Sequence, residues 1–128
     1  MKNIFISIAA FFGVAIGGCS QDVVDVLEPE EFIAAAKADS SSVLLDVRKP
    51  DEFADGHIDG AMNLNWLDAD TFSAGVSRLD KGKSYYIYCR SGRRSNAAAR
   101  KMKSLGFNVH DMKGGIVKWQ ELGLPVVK

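Results

Sequence analysis

Two short, almost unbroken apolar runs constrain this chain most: Val43-Leu44-Leu45-Asp46-Val47 and Tyr85-Tyr86-Ile87-Tyr88. A strand that alternates in polarity can leave one face in water. A strand that does not alternate needs cover on both faces, as in a parallel sheet between two helix layers. The intervening segments read as helices. Pro29, Glu30 and Glu31 open one, with Phe32, Ile33 and Ala36 at helical spacing. Pro50 to Phe53 opens a short helix that Gly56 ends, and Leu67–Leu79 reads as another. Ser95–Leu105 carries an apolar stripe of Ala98, Met102 and Leu105 before Gly106. Ile116, Trp119 and Leu122 share a face before Gly123. Further strands are expected at Val23–Leu27, Ala61–Leu64 and Phe107–Met112. Strands and helices alternate without a hairpin signal. The expected fold is therefore α/β, a single domain with a mainly parallel central sheet and helices on both faces. In such sheets ligands bind where strands end, here at Val47-Arg48, Leu64 and Tyr88-Cys89.

The 128 residues, 47% hydrophobic and 25% charged, suit one globular core and exclude a disordered chain. Lys and Arg number 16, as do Asp and Glu, and this neutrality argues against a nucleic-acid partner. The charges are nevertheless segregated. Residues 81–110 hold eight basic residues and no acid, whereas residues 19–80 hold 14 acids against four bases. Such asymmetry points to an anion site or a partner surface, or else to charges that interleave once folded.

The first 18 residues read as a leader. Lys2 precedes an apolar run, Ile4 to Gly18, that is too short to span a bilayer comfortably. Ile16-Gly17-Gly18-Cys19 is similar to a bacterial lipoprotein signal. That resemblance implies cleavage before Cys19, lipidation of Cys19, and a cell-envelope location anchored to a membrane. Ser20 after the Cys suggests passage to the outer membrane. An uncleaved anchor and a buried amino-terminal helix are the alternatives. Residues 19–25 then form a short tether, and 26–128 form the domain. With Cys19 lipidated, Cys89 is the one free thiol, either a buried inert side chain or a reactive group.

The neighbours of Cys89 favour reactivity. Cys89-Arg90-Ser91-Gly92-Arg93-Arg94-Ser95 joins the second apolar run to a helix. Gly92 lets the backbone curl, so that successive N–H groups can form an anion nest. Ser95 can cap the following helix, whose N-terminus adds positive potential. Arg90, Arg93 and Arg94 add cations. All of these favour thiolate over thiol, and the thiolate is the nucleophile.

Tyr88-Cys89-Arg90-Ser91-Gly92-Arg93-Arg94-Ser95 resembles the active-site loop of rhodanese-type sulfurtransferases. Leu44-Leu45-Asp46-Val47-Arg48, with Glu52-Phe53 and Gly56-His57-Ile58-Asp59-Gly60-Ala61-Met62-Asn63, is similar to the family's first signature, with Asp59 where Pro is common. Gly114-Gly115-Ile116-Val117-Lys118-Trp119 and Gly123-Leu124-Pro125-Val126 resemble its C-terminal ending. The resemblance implies a rhodanese-like fold and a ping-pong cycle. Cys89 would take sulfur from an anionic donor such as thiosulfate and pass it, from a persulfide, to cyanide or a thiol. Arg90, Ser91, Gly92, Arg93 and Arg94 would bind the donor and the departing anion. Asp46 and Arg48, with Glu52, would form ion pairs that order the loops, and Ser95 would support them. No metal or organic cofactor is implied, and a monomer is expected. A non-catalytic persulfide carrier or sulfur sensor is the alternative. A phosphatase of this fold needs Cys, five intervening residues and then Arg, which falls at position 95, where this chain has Ser95.

Other polar residues have plainer readings. His57 and His110 are expected to be structural, since a thiolate needs no base. Two His and one free Cys without ligand spacing make a metal site improbable. Trp66 and Trp119 read as core or pocket rim. Arg100, Lys101 and Lys103 read as a solvated helix face or a docking patch.

Overall fold

A computed structural model describes residues 23–128. The leader read at 1–18, Cys19 and the first part of the tether lie outside the described residues. At the centre of the fold stands β4, Ser84–Tyr88, with all five residues buried. It pairs in parallel with β2, Ser42–Asp46, on one side and with β5, Asn108–Met112, on the other. β1, Asp25–Leu27, and β3, Met62–Asn63, complete the edges, giving the order β1-β5-β4-β2-β3. Every ladder is parallel, as the two apolar runs require. An isolated antiparallel bridge, His57 with Val127, ties the chain's end to the loop before β3. Val24 is buried in the core, so the fold reaches back past the boundary expected at 26.

Alternation along β4 divides the core. Tyr85 and Ile87 face one layer, with Cys89 following in the same cluster. This layer holds α3, Ala69–Ser77, and α4, Arg93–Ser104, through Phe72, Val76, Ala98, Ala99 and Met102. Tyr86 and Tyr88 face the other layer, with Phe32 and Ala36 of α1, Pro29–Ala38, and Ile116 and Trp119 of α5, Gly115–Glu121. Each fully buried large side chain contributes about 1.5–3 kcal/mol. The tyrosine hydroxyls that burial would strand find partners: Tyr85 donates to Asp80 O at 2.8 Å, and Tyr88 Oη accepts from Ile58 N at 3.0 Å. Leu105, expected in the apolar stripe of α4, lies just past the helix and is exposed.

At the end of β2 a buried ion pair forms. Arg48 donates from Nη2 to Asp46 Oδ2 at 2.7 Å and from Nε at 3.0 and 3.1 Å to the two oxygens. Its Nη2 also reaches Gly56 O at 2.7 Å, at the end of the short helix α2, Pro50–Asp55. Asn63 of β3 donates to the carbonyls of Asp46 and Arg48 at 3.0 and 2.9 Å. One fork thus joins β2, α2 and β3. Removing one partner of a buried pair leaves the other charge unpaired in the core. Arg48→Ala is expected to lower stability by about 3–5 kcal/mol, read as a fall in the urea midpoint. A shift within error would show that the pair is dispensable.

Candidate active site

Cys89 is the first residue beyond β4, on a loop that α4 continues. It is 1% exposed. Gly92 N–H donates to its Sγ at 3.1 Å. Gly92 makes this possible with φ of +106°, a left-handed turn that a side chain would disfavour. Arg90, Ser91 and Arg93 are exposed around the thiol's loop, and Gly92 is half-buried.

The backbone of this loop is held from behind. Cys89 O accepts from Ile116 N at 2.9 Å, and Arg90 O accepts from Val117 N at 3.1 Å. In a trans peptide the C=O and the next N–H point in opposite directions. Turning these two carbonyls toward α5 turns the N–H groups of Arg90 and Ser91 away from it. This leaves them available, beside Gly92 N–H, for the anion nest expected of this loop. Gly115 permits the approach. A Cβ there would lie 2.2 Å from Arg90 O, and its φ is +64°. The glycine pair is visible in the sequence as a turn, but the contact it allows is tertiary.

Two expectations for the loop are corrected. Helix α4 begins at Arg93, with Gly92 at the cap position, so Ser95 does not cap it. Ser95 is buried in the first turn and donates from Oγ to Gly92 O at 3.3 Å, supporting the loop from within the helix. Arg94 was expected among the free cations. Its guanidinium instead forks onto Glu52 of α2, at 2.7 and 3.0 Å. Glu52 was expected with Asp46 and Arg48, which pair with each other. Arg90 and Arg93 are left as the loop's outward cations.

Asp111 of β5 escaped the sequence reading. It is buried near the first turn of α4, where Asn96 Nδ2 reaches its Oδ2 at 3.3 Å, while Oδ1 has no partner. Burial pushes its carboxyl above the ordinary range. The available signal was an acid inside the expected strand Phe107–Met112. His57 stacks on Phe53 and its Nδ1 contacts Phe53 O at 2.9 Å. His110 stacks on Tyr86 and pairs with Asp25 at 2.7 Å. Trp119 is buried and donates to Pro125 O at 2.9 Å, and Trp66 packs edge-on against Phe72. Among the described residues no cluster of His, Cys, Asp and Glu could hold a metal ion.

Arg94 holds the Glu52 carboxyl at about 2, below its ordinary 4.5, with help from Lys49 N–H. A group lowered in the folded state adds stability that is complete above 4.5 and is lost as pH falls toward about 2. The pair is partly exposed, so the contribution is on the order of 1 kcal/mol. Glu52→Gln is expected to lower stability by that amount at neutral pH, with the difference from wild type closing across that acid window. A constant difference in urea titrations at each pH would refute the assignment.

Comparison with known proteins places this geometry. Residues 28–122 match the rhodanese-like domain family. A protein of Allochromatium vinosum named sulfurtransferase is 36% identical over 99 residues, covering 76% of this chain and 90% of that protein. The crystal structure of a rhodanese-related protein of Thermoplasma volcanium superposes with a TM-score of 0.69 at 31% identity, over 80% of this chain and 97% of that one. The rhodanese-like domain of an Anabaena protein, solved by NMR, gives a TM-score of 0.67 at 27% identity, over 79% and 76% of the two chains. The chain belongs to the rhodanese-like domain family of sulfurtransferases.

Proposed function

We propose that the protein moves sulfane sulfur from a small anionic donor such as thiosulfate to a nucleophilic acceptor, cyanide or a thiol. The observation that carries this reading is the setting of Cys89. A thiol lies against a backbone N–H at 3.1 Å, in a loop whose Cys89 and Arg90 carbonyls are turned away from it toward α5. In the first step the Cys89 thiolate attacks the outer sulfur of thiosulfate. A new S–S bond forms, the old one breaks, and sulfite leaves with the electron pair. The N–H curl of Arg90, Ser91 and Gly92 stabilises the negative charge on the persulfide, and Arg90 and Arg93 draw in the donor and the departing anion. Arg94, held by Glu52, fixes the start of α4. In the second step the acceptor attacks the terminal sulfur and Cys89 leaves as thiolate. Neither step needs a general base or a cofactor.

A persulfide carrier would use the same loop, and the near-complete burial of Cys89 suits a stored persulfide. A phosphatase is disfavoured, because the position that would clamp phosphate holds Ser95, buried and bonded to Gly92 O. Thiosulfate is expected to add about 32 Da to Cys89 by mass spectrometry, roughly one sulfur atom. Cyanide should then remove it in repeated turnovers that yield thiocyanate. Cys89→Ser should lose both adduct and turnover, and retained turnover would sink the proposal. One loading without turnover would identify a carrier.

The lipoprotein reading of residues 1–19 belongs to the same proposal. A lipid on Cys19 would hold the domain at a membrane of the bacterial envelope, close to the bilayer through the short tether. In high salt, which screens surface charge contacts, Cys19→Ala is expected to move the protein from the membrane to the soluble fraction. Unchanged sedimentation with membranes would refute that anchor.

A further inference from the structure

In a fully parallel sheet the two ends of the strands are different places. Cys89 and the Asp46–Arg48 fork lie at the C-terminal end. The opposite end is built from the turns that enter the strands and from the C-termini of α3 and α4. Arg78, Lys81 and Lys83 stand in the turn before β4, and all three are exposed. Arg100, Lys101 and Lys103 stand in the last turns of α4, the first two exposed. The acids Asp39, Asp59 and Asp80 also lie at this end, Asp59 exposed at the β3 edge beside Asp39, and Asp39 and Asp80 engaged in turns. Asp39 accepts from Ser41 N and Oγ at 2.9 and 2.8 Å, and Asp80 accepts from Gly82 N at 2.7 Å.

Apolar surface lies among these cations. A groove of about 420 Å³ opens between α3 and α4 over Phe72, Val76 and Phe107, with Lys81, Lys101 and Leu105 also lining it. Lys81 Nζ stands 5.5 Å from the centre of the Phe107 ring, and Leu105 is 43% exposed. The chain also enters the fold here. Lys103 Nζ donates to Val23 O at 2.5 Å, which holds Val23 beside the basic face.

We propose that this end of the domain docks on an anionic phospholipid bilayer. The lysines and arginines meet the phosphates, Leu105 and the groove meet the apolar layer beneath, and Cys89 faces away. Spanned by the five residues of β4, Cys89 stands about 17 Å farther from the surface. The orientation follows from topology. A parallel sheet cannot present its entry turns to the membrane and its catalytic loop to the same side. This inference goes beyond the sulfur-transfer reading and does not require a lipid on Cys19.

The test is vesicle flotation with the chain from Ser20 onward. It contains every described residue, and a solved relative almost fully covered by this fold exists as a separate chain. The chain is expected to float with vesicles of equal parts phosphatidylglycerol and phosphatidylcholine, less so as salt is added, and not with phosphatidylcholine alone. Each lysine near the surface is worth about fivefold in binding. Lys81, Lys83 and Lys101 changed together to Ala should weaken it about a hundredfold, and changed together to Arg should retain it. The Cys89 persulfide yield should be unchanged in both variants, which separates this surface from the sulfur chemistry. No flotation with anionic vesicles, equal flotation with neutral ones, or wild-type flotation of the Ala variant would overturn the proposal. Binding to polyglutamate in place of vesicles would also overturn it, by assigning the face to an acidic protein.

Discussion

The fork between Asp46 and Arg48 is the contact on which the site rests. Taking both charges out of water is costly, and a buried pair adds little net stability over apolar side chains of the same size. Its return is geometry. Arg48 ties the end of β2 to the end of α2 at Gly56, and Asn63 clamps the same backbone from β3. Helix α2 is thereby fixed over the end of the sheet, where Glu52 takes hold of Arg94 on α4. The loop after β2 thus braces the helix that follows the loop after β4. From the other side, α5 grips the same loop through two backbone hydrogen bonds. The thiol sits between two supports made by distant parts of the chain, the preorganisation a reactive site needs.

What the sequence disclosed follows from the range of each interaction. The parallel sheet was legible because burial on both faces leaves a mark inside a single run, as in Tyr85-Tyr86-Ile87-Tyr88. The thiol loop was legible because the chemistry of Cys89 and Gly92 lies within a few residues. Ser95 was misplaced as a cap because local preference favours Ser, while the turn at Gly92 starts the helix earlier. Arg94 was counted as a free cation because its partner lies 42 residues away. The contact of Gly115 with Arg90 had no local trace beyond the two glycines. Asp111 had one, an acid inside an expected strand, but its place beneath Ser95 and Asn96 exists only after folding.

The segregated charge divides along the same lines. The acid-free window 81–110 is continuous in sequence, yet β4 and α4 carry its two parts to opposite ends of the sheet. Arg90, Arg93 and Arg94 arrive beside the thiol, one of them already neutralised by Glu52. Lys81, Lys83, Lys101 and Lys103 arrive at the far end, among the entry turns. A single feature of composition becomes two features of structure, separated by the height of a strand.

The burial of Cys89 has a consequence for the protein as a population of molecules. A disulfide requires the two Cα atoms to come within about 7 Å. Two copies meeting at their surfaces hold these atoms apart, because each Cys89 lies below its own surface, 1% exposed. The depth of Cys89 therefore disfavours the covalent dimer that an outward-facing lone cysteine would form. The same loop that donates a hydrogen bond to the sulfur keeps it from the sulfur of a neighbouring copy.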